Sequence, residues 1–264
     1  VGDLADLVIT NGPLSLDAQS TNEARVGEVG SDLGGIVVNV VSPDAKDDGV
    51  TRACVGEQAT IEAPDLEVLA FADNTVVART DLSSLLGITV DVATPTAESN
   101  HEVEACVGDD ATLVVEGETS VNAVNENDVT AEATSTGAAV IAVGVAIADA
   151  IADTSTRAVL GTNVKLTGGS LEVVATGVDE TFAETSAFAA AGLAGAGTVP
   201  STRNTSTTLA EIGNSNAARN IDLTESGTGI LTVSADHTAI TNTQVSSDAY
   251  GVLSGSGAEA DNDV

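Results

Sequence analysis

The segment TRACVGEQATIEA, which begins at Thr51, decides the fold because three later segments of the chain repeat its pattern. They are VEACVGDDATLVV from Val103, TRAVLGTNVKLTG from Thr156 and TLAEIGNSNAARN from Thr208. The glycines of the four copies are spaced 52, 53 and 52 residues apart, and they are Gly56, Gly108, Gly161 and Gly213. A period of this order indicates a solenoid or another stack of similar units.

Two further columns keep the same period. The alanine column consists of Ala18, Ala70, Ala123 and Ala175, and the aliphatic column consists of Ile36, Ile88, Ile141 and Leu193. Both columns continue 60 rather than 52 residues on, at Ala235 and Leu253, which predicts an insertion of eight residues near 214–229. The chain then reads as one continuous array over 1–264: a partial unit 1–50, units 51–102, 103–155 and 156–207, and a last unit 208–264.

Alternating apolar residues predict that each unit is built from strands. Segments such as Leu66–Ala70 and Ile88–Val92 place apolar side chains at every second position, the pattern of a half-buried strand. The alanine-rich segment 138–152 could form a helix by itself, but its equivalents IVVNVV and GLAGAG are poor helix sequences. We therefore expect an all-β fold, a parallel β-solenoid (β-helix) of about five repeats.

The strands of the aliphatic column are apolar on both faces. This predicts either strands that are covered on both sides or a wall that packs tightly inside, and Ala or Gly on one face would let a neighbouring sheet approach closely. The recurring glycines predict corners that need a positive φ or a close approach of two backbones.

The composition restricts the partners of the chain. There are 40 acidic and 8 basic residues, a net charge of -32, with 42% apolar but only 2% aromatic residues. This predicts a core of small side chains and a surface that repels nucleic acid and attracts divalent cations. The longest apolar stretch, 137–152, is too short to cross a membrane and contains Asp149, so we expect no membrane span. The absence of methionine predicts a processed chain or a fragment.

The combination of a TRA-x-V-G start, an L-x-V-x-A strand and an Ala/Gly/Val-rich alternating strand resembles large repetitive bacterial surface adhesins. These are the filamentous-haemagglutinin-like and leukotoxin-type filamentous adhesins and the autotransporter passenger domains. The resemblance implies a secreted or surface-displayed parallel β-helix that serves as a stalk, fibre or adhesive rod. The strong acidity and the lack of a recognisable secretion domain depart from that pattern. Since strand edges at the ends of an array need cover, neighbouring copies or flanking repeats are the expected partners.

Catalysis finds no support in the motifs. No nucleophile-elbow, zinc-protease or nucleotide-binding pattern occurs in a competent context. His101 and His237 have no catalytic partner at a motif spacing, so both are predicted to lie in surface loops. A polysaccharide-active β-helix enzyme would need paired carboxylates with aromatic platforms, whereas the few aromatic residues are scattered. We expect a structural protein and no enzyme.

Calcium binding is the alternative chemistry. Clusters of aspartate could supply the several oxygens that a hard cation needs, and the candidates are Asp44, Asp47, Asp48, Asp109, Asp110, Asp261 and Asp263. None of the clusters matches an EF-hand loop or a GGxGxDxUx repeat. A ligand- or calcium-binding β-helix module therefore stays open beside the structural module.

The two cysteines test how much chain makes one coil. Cys54 and Cys106 each lie two residues before a column glycine. If the unit is one wide coil, their Cα atoms lie about 4.8 Å apart, within disulfide range; if it comprises two coils, the distance is about 9.6 Å and no bridge forms. We favour the wide coil, because each column type occurs once per unit. Oxidation would fit an exported protein.

Overall fold

Every regular element that the computed structural model describes is a β-strand. The described residues are 1–213, 220–223 and 229–264. The all-β prediction is confirmed over this part of the chain. Its twenty strands are β1 (Asp6–Val8), β2 (Leu14–Leu33), β3 (Ile36–Val41), β4 (Asp44–Asp47), β5 (Val50–Val55), β6 (Thr60–Ala63), β7 (Leu66–Leu85), β8 (Ile88–Ala93), β9 (Thr96–Ser99), β10 (Glu102–Val107), β11 (Thr112–Ala138), β12 (Ile141–Ala152), β13 (Ser155–Leu160), β14 (Lys165–Ala190), β15 (Leu193–Asn204), β16 (Thr207–Ile212), β17 (Asn220–Asp222), β18 (Ile230–Tyr250), β19 (Leu253–Ala258) and β20 (Asp261–Asp263).

The strands form three sheets, and the chain visits them in the same order in each repeat. Sheet 1 contains β1, β2, β6, β7, β11, β14, β17 and β18; sheet 2 contains β3, β4, β8, β9, β12, β15, β19 and β20; sheet 3 contains β5, β10, β13 and β16. All described pairings are parallel. In sheets 1 and 2 the strands of one repeat form a layer: β1–β4, β6–β9, β11–β12, β14–β15 and β17–β20 are layers one to five.

Both columns predicted from the sequence are rows of directly paired residues. In sheet 1, Ala18 pairs with Ala70, and the row continues through Ala123, Ala175 and Ala235. In sheet 2, the aliphatic row runs through Ile36, Ile88, Ile141, Leu193 and Leu253. The prediction that these residues stack in register is confirmed.

The eight extra residues of the last repeat are divided between two places. Leu160 pairs with Ile212, 52 residues on, whereas Lys165 pairs with Asn220, 55 residues on. Ser170 then pairs with Ile230, 60 residues on. Three residues are therefore inserted before β17 and five after it. The insertion predicted near 214–229 lies largely outside the described residues.

The inward side chains form two apolar clusters. The first contains the larger aliphatic residues of sheets 1 and 3, with Ile61, Leu113 and Leu166 fully buried. The second lies between sheet 2 and the later part of sheet 1 and consists mainly of alanine, including Ala131 and Ala146. Small side chains let the facing sheets approach closely, so the predicted small-residue core describes this second cluster.

Close approach of backbones explains most of the recurring glycines. A Cβ added at Gly108 would lie 2.7 Å from the Glu57 nitrogen, and Gly56 and Gly161 are similarly crowded. Of the four, Gly213 alone has a positive φ, 58°. The left-handed backbone conformation occurs instead two residues after each of the other three glycines, at Gln58, Asp110 and Asn163. These positions were not predicted from the sequence.

The cysteines confirm the wide coil. Cys54 pairs with Cys106 on adjacent strands β5 and β10, their Cα atoms lie 4.5 Å apart, and the two sulfurs form a disulfide. Two coils per unit would have placed them about 9.6 Å apart. Both cysteines point outward and are half-buried on sheet 3, so the disulfide links two successive strands from the outside.

Candidate functional site

The first group of predicted calcium ligands is divided between other partners. Asp47 Oδ2 lies 3.0 Å from His101 Nδ1. Asp48 Oδ1 accepts a hydrogen bond of 3.0 Å from Asn100 and lies 3.4 Å from Lys46 Nζ. Asp44 begins β4 and is exposed. The three carboxylates thus point to different surroundings.

The remaining predicted ligands lie in a turn and at the last strand. Asp109 Oδ1 accepts a hydrogen bond of 2.6 Å from the Thr162 backbone N–H, and Asp110 adopts the left-handed φ. Asp261 and Asp263 lie exposed on β20. In the part of the chain that the structure describes, Cys54, Glu104 and Cys106 form the one group of three potential metal ligands within 4.8 Å, and its two sulfurs are bonded to each other.

The prediction that His101 lies in a surface loop is wrong. The imidazole is fully buried, with Nε2 3.0 Å from Thr51 Oγ1 and Nδ1 3.0 Å from Asp47 Oδ2. His101 lies two residues before Val103, so it shares the inward parity of β10 although it precedes the strand. That parity in the sequence could have identified it.

His237 also differs from its prediction. It lies within β18 and pairs with Gly177. Its Nδ1 is 3.1 Å from Thr208 Oγ1, and its Nε2 is 3.6 Å from the carboxylate of Asp179. The glycine leaves room, since a Cβ at Gly177 would lie 2.9 Å from the imidazole.

Polar side chains inside the molecule form two separate hydrogen-bonded chains, one beside His101 and one beside His237. Asn22 donates to Asn74, and Asn74 donates to Asn125, each over 3.0 Å. Asn127 donates to Asp179 over 3.1 Å. The buried Asp179 also accepts from Thr154. These hydrogen bonds satisfy part of the polar groups that lie between the two apolar clusters, whereas Asn125 Nδ2 and Asn127 Oδ1 form no hydrogen bond among the described residues. The two chains therefore have a structural role.

Sheet 2 contains a second buried carboxylate. Asp91 is fully buried and accepts a hydrogen bond of 2.8 Å from Asn39 and another from Ser84. Asp91 and Asp179 were not among the predicted site residues. Their inward positions follow from strand alternation, but their partners come from other repeats and from another sheet.

Three surface depressions have linings that include neither histidine. They hold about 220 to 270 Å³ each, below the range of about 300 to 1,000 Å³ of ligand pockets. One is lined by acidic side chains, among them Asp73, Glu126, Asp128 and Glu180. None of the three linings contains a histidine or cysteine.

Comparison of the chain with protein-family models, with curated proteins and with solved structures finds no match. Function has to be inferred from the chain's own surfaces. Within the described ranges, no helix has the length and hydropathy that a membrane crossing requires. Two surfaces differ from an ordinary solvated exterior: the uncovered strands of the fifth layer and the outer face of sheet 2.

Proposed function

We propose that this chain is a non-catalytic module of an extracellular or cell-surface fibre or filamentous adhesin. Its five layers are taken as a parallel β-solenoid that extends through neighbouring copies or flanking repeats. The parallel pairing of each strand with its counterpart one repeat later supports this architecture. Such a stack buries the core of each unit against its neighbours, which is the physical reason for repetition.

The exposed core residues of the fifth layer carry the proposal. Leu231 and Val233 of β18 pair with Leu171 and Val173 of the fourth layer. The fourth-layer residues are 1% and 0% exposed, whereas Leu231 and Val233 are 54% and 46% exposed. A further layer on β18 would cover them and would also pair the free backbone groups of that strand.

Two other features support a secreted fibre. The disulfide between Cys54 and Cys106 fits an oxidising environment. The net charge of -32 keeps a long rod soluble, because the flanks of neighbouring rods repel one another.

The test is assembly along the layers. Wild-type protein is expected to form rods in negative-stain micrographs, with a length that grows with protein concentration. Val233→Asp places a charge on the uncovered end and should abolish the rods. Thr232→Asp, whose side chain points to the opposite face of the same strand, is the matched control and should leave them unchanged.

Compact, monodisperse wild-type particles would overturn the fibre proposal. If such particles also bound calcium in a titration, the binding-module alternative would take its place. Circular dichroism of both variants verifies that a loss of rods does not arise from unfolding.

A further inference from the structure

The outer face of sheet 2 differs from a solvated surface in its composition. Fifteen outward positions over five layers form what we call the apolar face: Ile36, Val38, Val40, Ile88, Val90, Val92, Ile141, Val143, Val145, Leu193, Gly195, Gly197, Leu253, Gly255 and Gly257. None of them is polar or charged, although 18% of the chain is charged. In a strand with one solvated face, the outward residues are ordinarily polar and alternate with buried apolar residues.

The apolar face is accessible and large. Val143, in the middle layer and flanked by strands on both sides, is still 36% exposed. The apolar surface continues around the preceding corner through exposed residues, which include Leu33, Leu85, Val140, Tyr250 and Val252. The fifteen positions span five residues along each of five strands and cover about 16 Å by about 24 Å, or about 400 Å². An exposed apolar patch of this size, enlarged by the corner residues, is often a functional surface.

The side chains of the apolar face are larger in layers one to three than in layers four and five. Layers one to three carry isoleucine and valine, whereas two of the three positions in layers four and five are glycine. Around the sites where a Cβ would stand, Gly197, Gly255 and Gly257 have no described atom within 4 Å. Contacts within the described chain therefore do not require these glycines, although each weakens a strand by about 0.5 to 1 kcal/mol.

We propose that the apolar face binds the same face of a second copy of this chain through a two-fold axis that runs along β12. The axis reverses the order of the layers and keeps the position along the strands. Val38 then lies opposite Gly255 of the partner copy, and Val90 lies opposite its Gly195. Each ridge of valines faces a depression of glycines, and the third layers face each other. An isologous contact of this kind is closed and self-complementary.

The charge distribution favours a second copy at this face. Two chains of charge -32 repel each other over about 8 Å at physiological salt. The apolar face is a surface on which two copies can meet without bringing carboxylates together. This contact is lateral and does not depend on the axial assembly proposed above.

The oligomeric state in solution tests the pairing. Sedimentation equilibrium of the whole chain that carries Val233→Asp, which blocks axial assembly, is expected to show a dimer at about 0.15 M salt, where the charges are screened. The variants below are made in this background. Val143→Glu places two carboxylates at the axis and should weaken dimerisation by at least about 100-fold, since the like charges meet in a dry interface. Val114→Glu is the control, because Val114 points outward on sheet 1 and is similarly exposed, 40%.

A second variant distinguishes the two-fold contact from unspecific apolar association. Gly195→Val with Gly255→Val makes the face more apolar but fills the depressions, so the two-fold contact predicts loss of the dimer. Stronger association of this variant would overturn the proposal and indicate unspecific apolar contact or a different partner. A monomeric Val233→Asp parent at all concentrations would overturn it as well.

Cross-linking and the end variant complete the test. Val143→Cys should yield a covalent dimer on mild oxidation, whereas Val114→Cys should not. Val233→Asp should abolish rods and leave the lateral dimer intact, so that failure of the fibre and failure of the pairing are distinguishable. Absence of a Val143→Cys dimer would contradict the axis.

Discussion

The outer faces of sheets 1 and 2 differ more in composition than the inner faces of the same two sheets do. In the third layer, the outward residues of β11 include Glu126, Asp128 and Glu132, whereas those of β12 are apolar apart from Asp149 and include Val143 and Val145. Inward, both strands present small apolar residues such as Ala131 and Ala146. The fold needs only the inward residues, so the contrast between the acidic and the apolar outer face reflects what each face meets.

The largest difference in the free energy of unfolding should be between an aspartate introduced on the inner face of β11 and one introduced on its outer face. Val121 is buried in the first apolar cluster, and Val124 points outward. Val121→Asp should lower the free energy of unfolding by about 5 kcal/mol, because an unpaired carboxylate is buried. Val124→Asp should cost about 1 kcal/mol or less. Equal losses in chemical denaturation would show that the inner and outer faces are assigned incorrectly.

The third outer face, that of sheet 3, should contribute the next largest effect through its disulfide. The bond closes a loop of 52 residues, and the loss of such a constraint costs about 4 kcal/mol in the chain-entropy description. Replacing Cys54 and Cys106 with alanine should lower the unfolding midpoint accordingly. Val159→Ala removes side-chain volume from the same row and is the matched control. A loss no greater than that of the control would mean that the bond adds no stability.

The sequence predicted those features that depend on repetition and alternation. The rows of Ala18 and Ile36 and the pairing of Cys54 with Cys106 follow from the spacing, since parallel layers in register place equivalent residues side by side. Most of the segment 138–152 is the strand Ile141–Ala152, and the prediction of a strand instead of a helix is confirmed there. It could be made because the equivalents of this segment are poor helix formers. The interior parity of His101 was equally present in the sequence.

Other features could not be predicted because they depend on contacts between residues far apart in the sequence. The partners of Asp179 are Asn127 in the preceding layer and Thr154, which lies between β12 and β13, and no local pattern indicates them. Both faces of IVVNVV are apolar, so alternation could not decide whether the outer face is covered. Within the described chain, Val38 and Val40 are exposed. Cover on both sides was therefore not found within the chain itself, and a second copy would supply it.

Repulsion between carboxylates at the acidic face should lower the free energy of unfolding by about 0.5 kcal/mol at low salt. Glu126→Gln with Asp128→Asn removes two charges from the acidic depression. The variant should be more stable than wild type at low salt, where repulsion reaches about 30 Å, and the gain should fade as salt shortens that range to about 8 Å. Thermal unfolding over a salt series measures it.

The opposite change provides the control. Thr134 points outward and pairs with Asp81, so Thr134→Glu adds a like charge beside an existing one. Its stability loss should shrink with salt over the same range. Gains and losses that are independent of salt would contradict an electrostatic origin.

The smallest effect should come from Asp149, the carboxylate in the outward row of β12 between Ile147 and Ile151. Burial raises its pKa above the ordinary 3.8, although a hydrogen bond with Ser201 and the charge of Arg203 oppose the shift. Because the folded pKa lies above the unfolded value, the ionised carboxylate destabilises the folded state near neutral pH. Asp149→Asn should therefore stabilise the protein there by about 0.5 kcal/mol, a value reduced by solvent screening. The difference should disappear as the pH falls through the raised folded pKa and below 3.8, where the carboxyl is protonated in both states.

Ser201→Ala removes the opposing hydrogen bond, so it should enlarge the stability difference between Asp149→Asn and its parent near neutral pH and leave it unchanged in acid. Denaturation curves of the four combinations across this pH range test the assignment, and a stabilisation that persists at the acidic end would refute it.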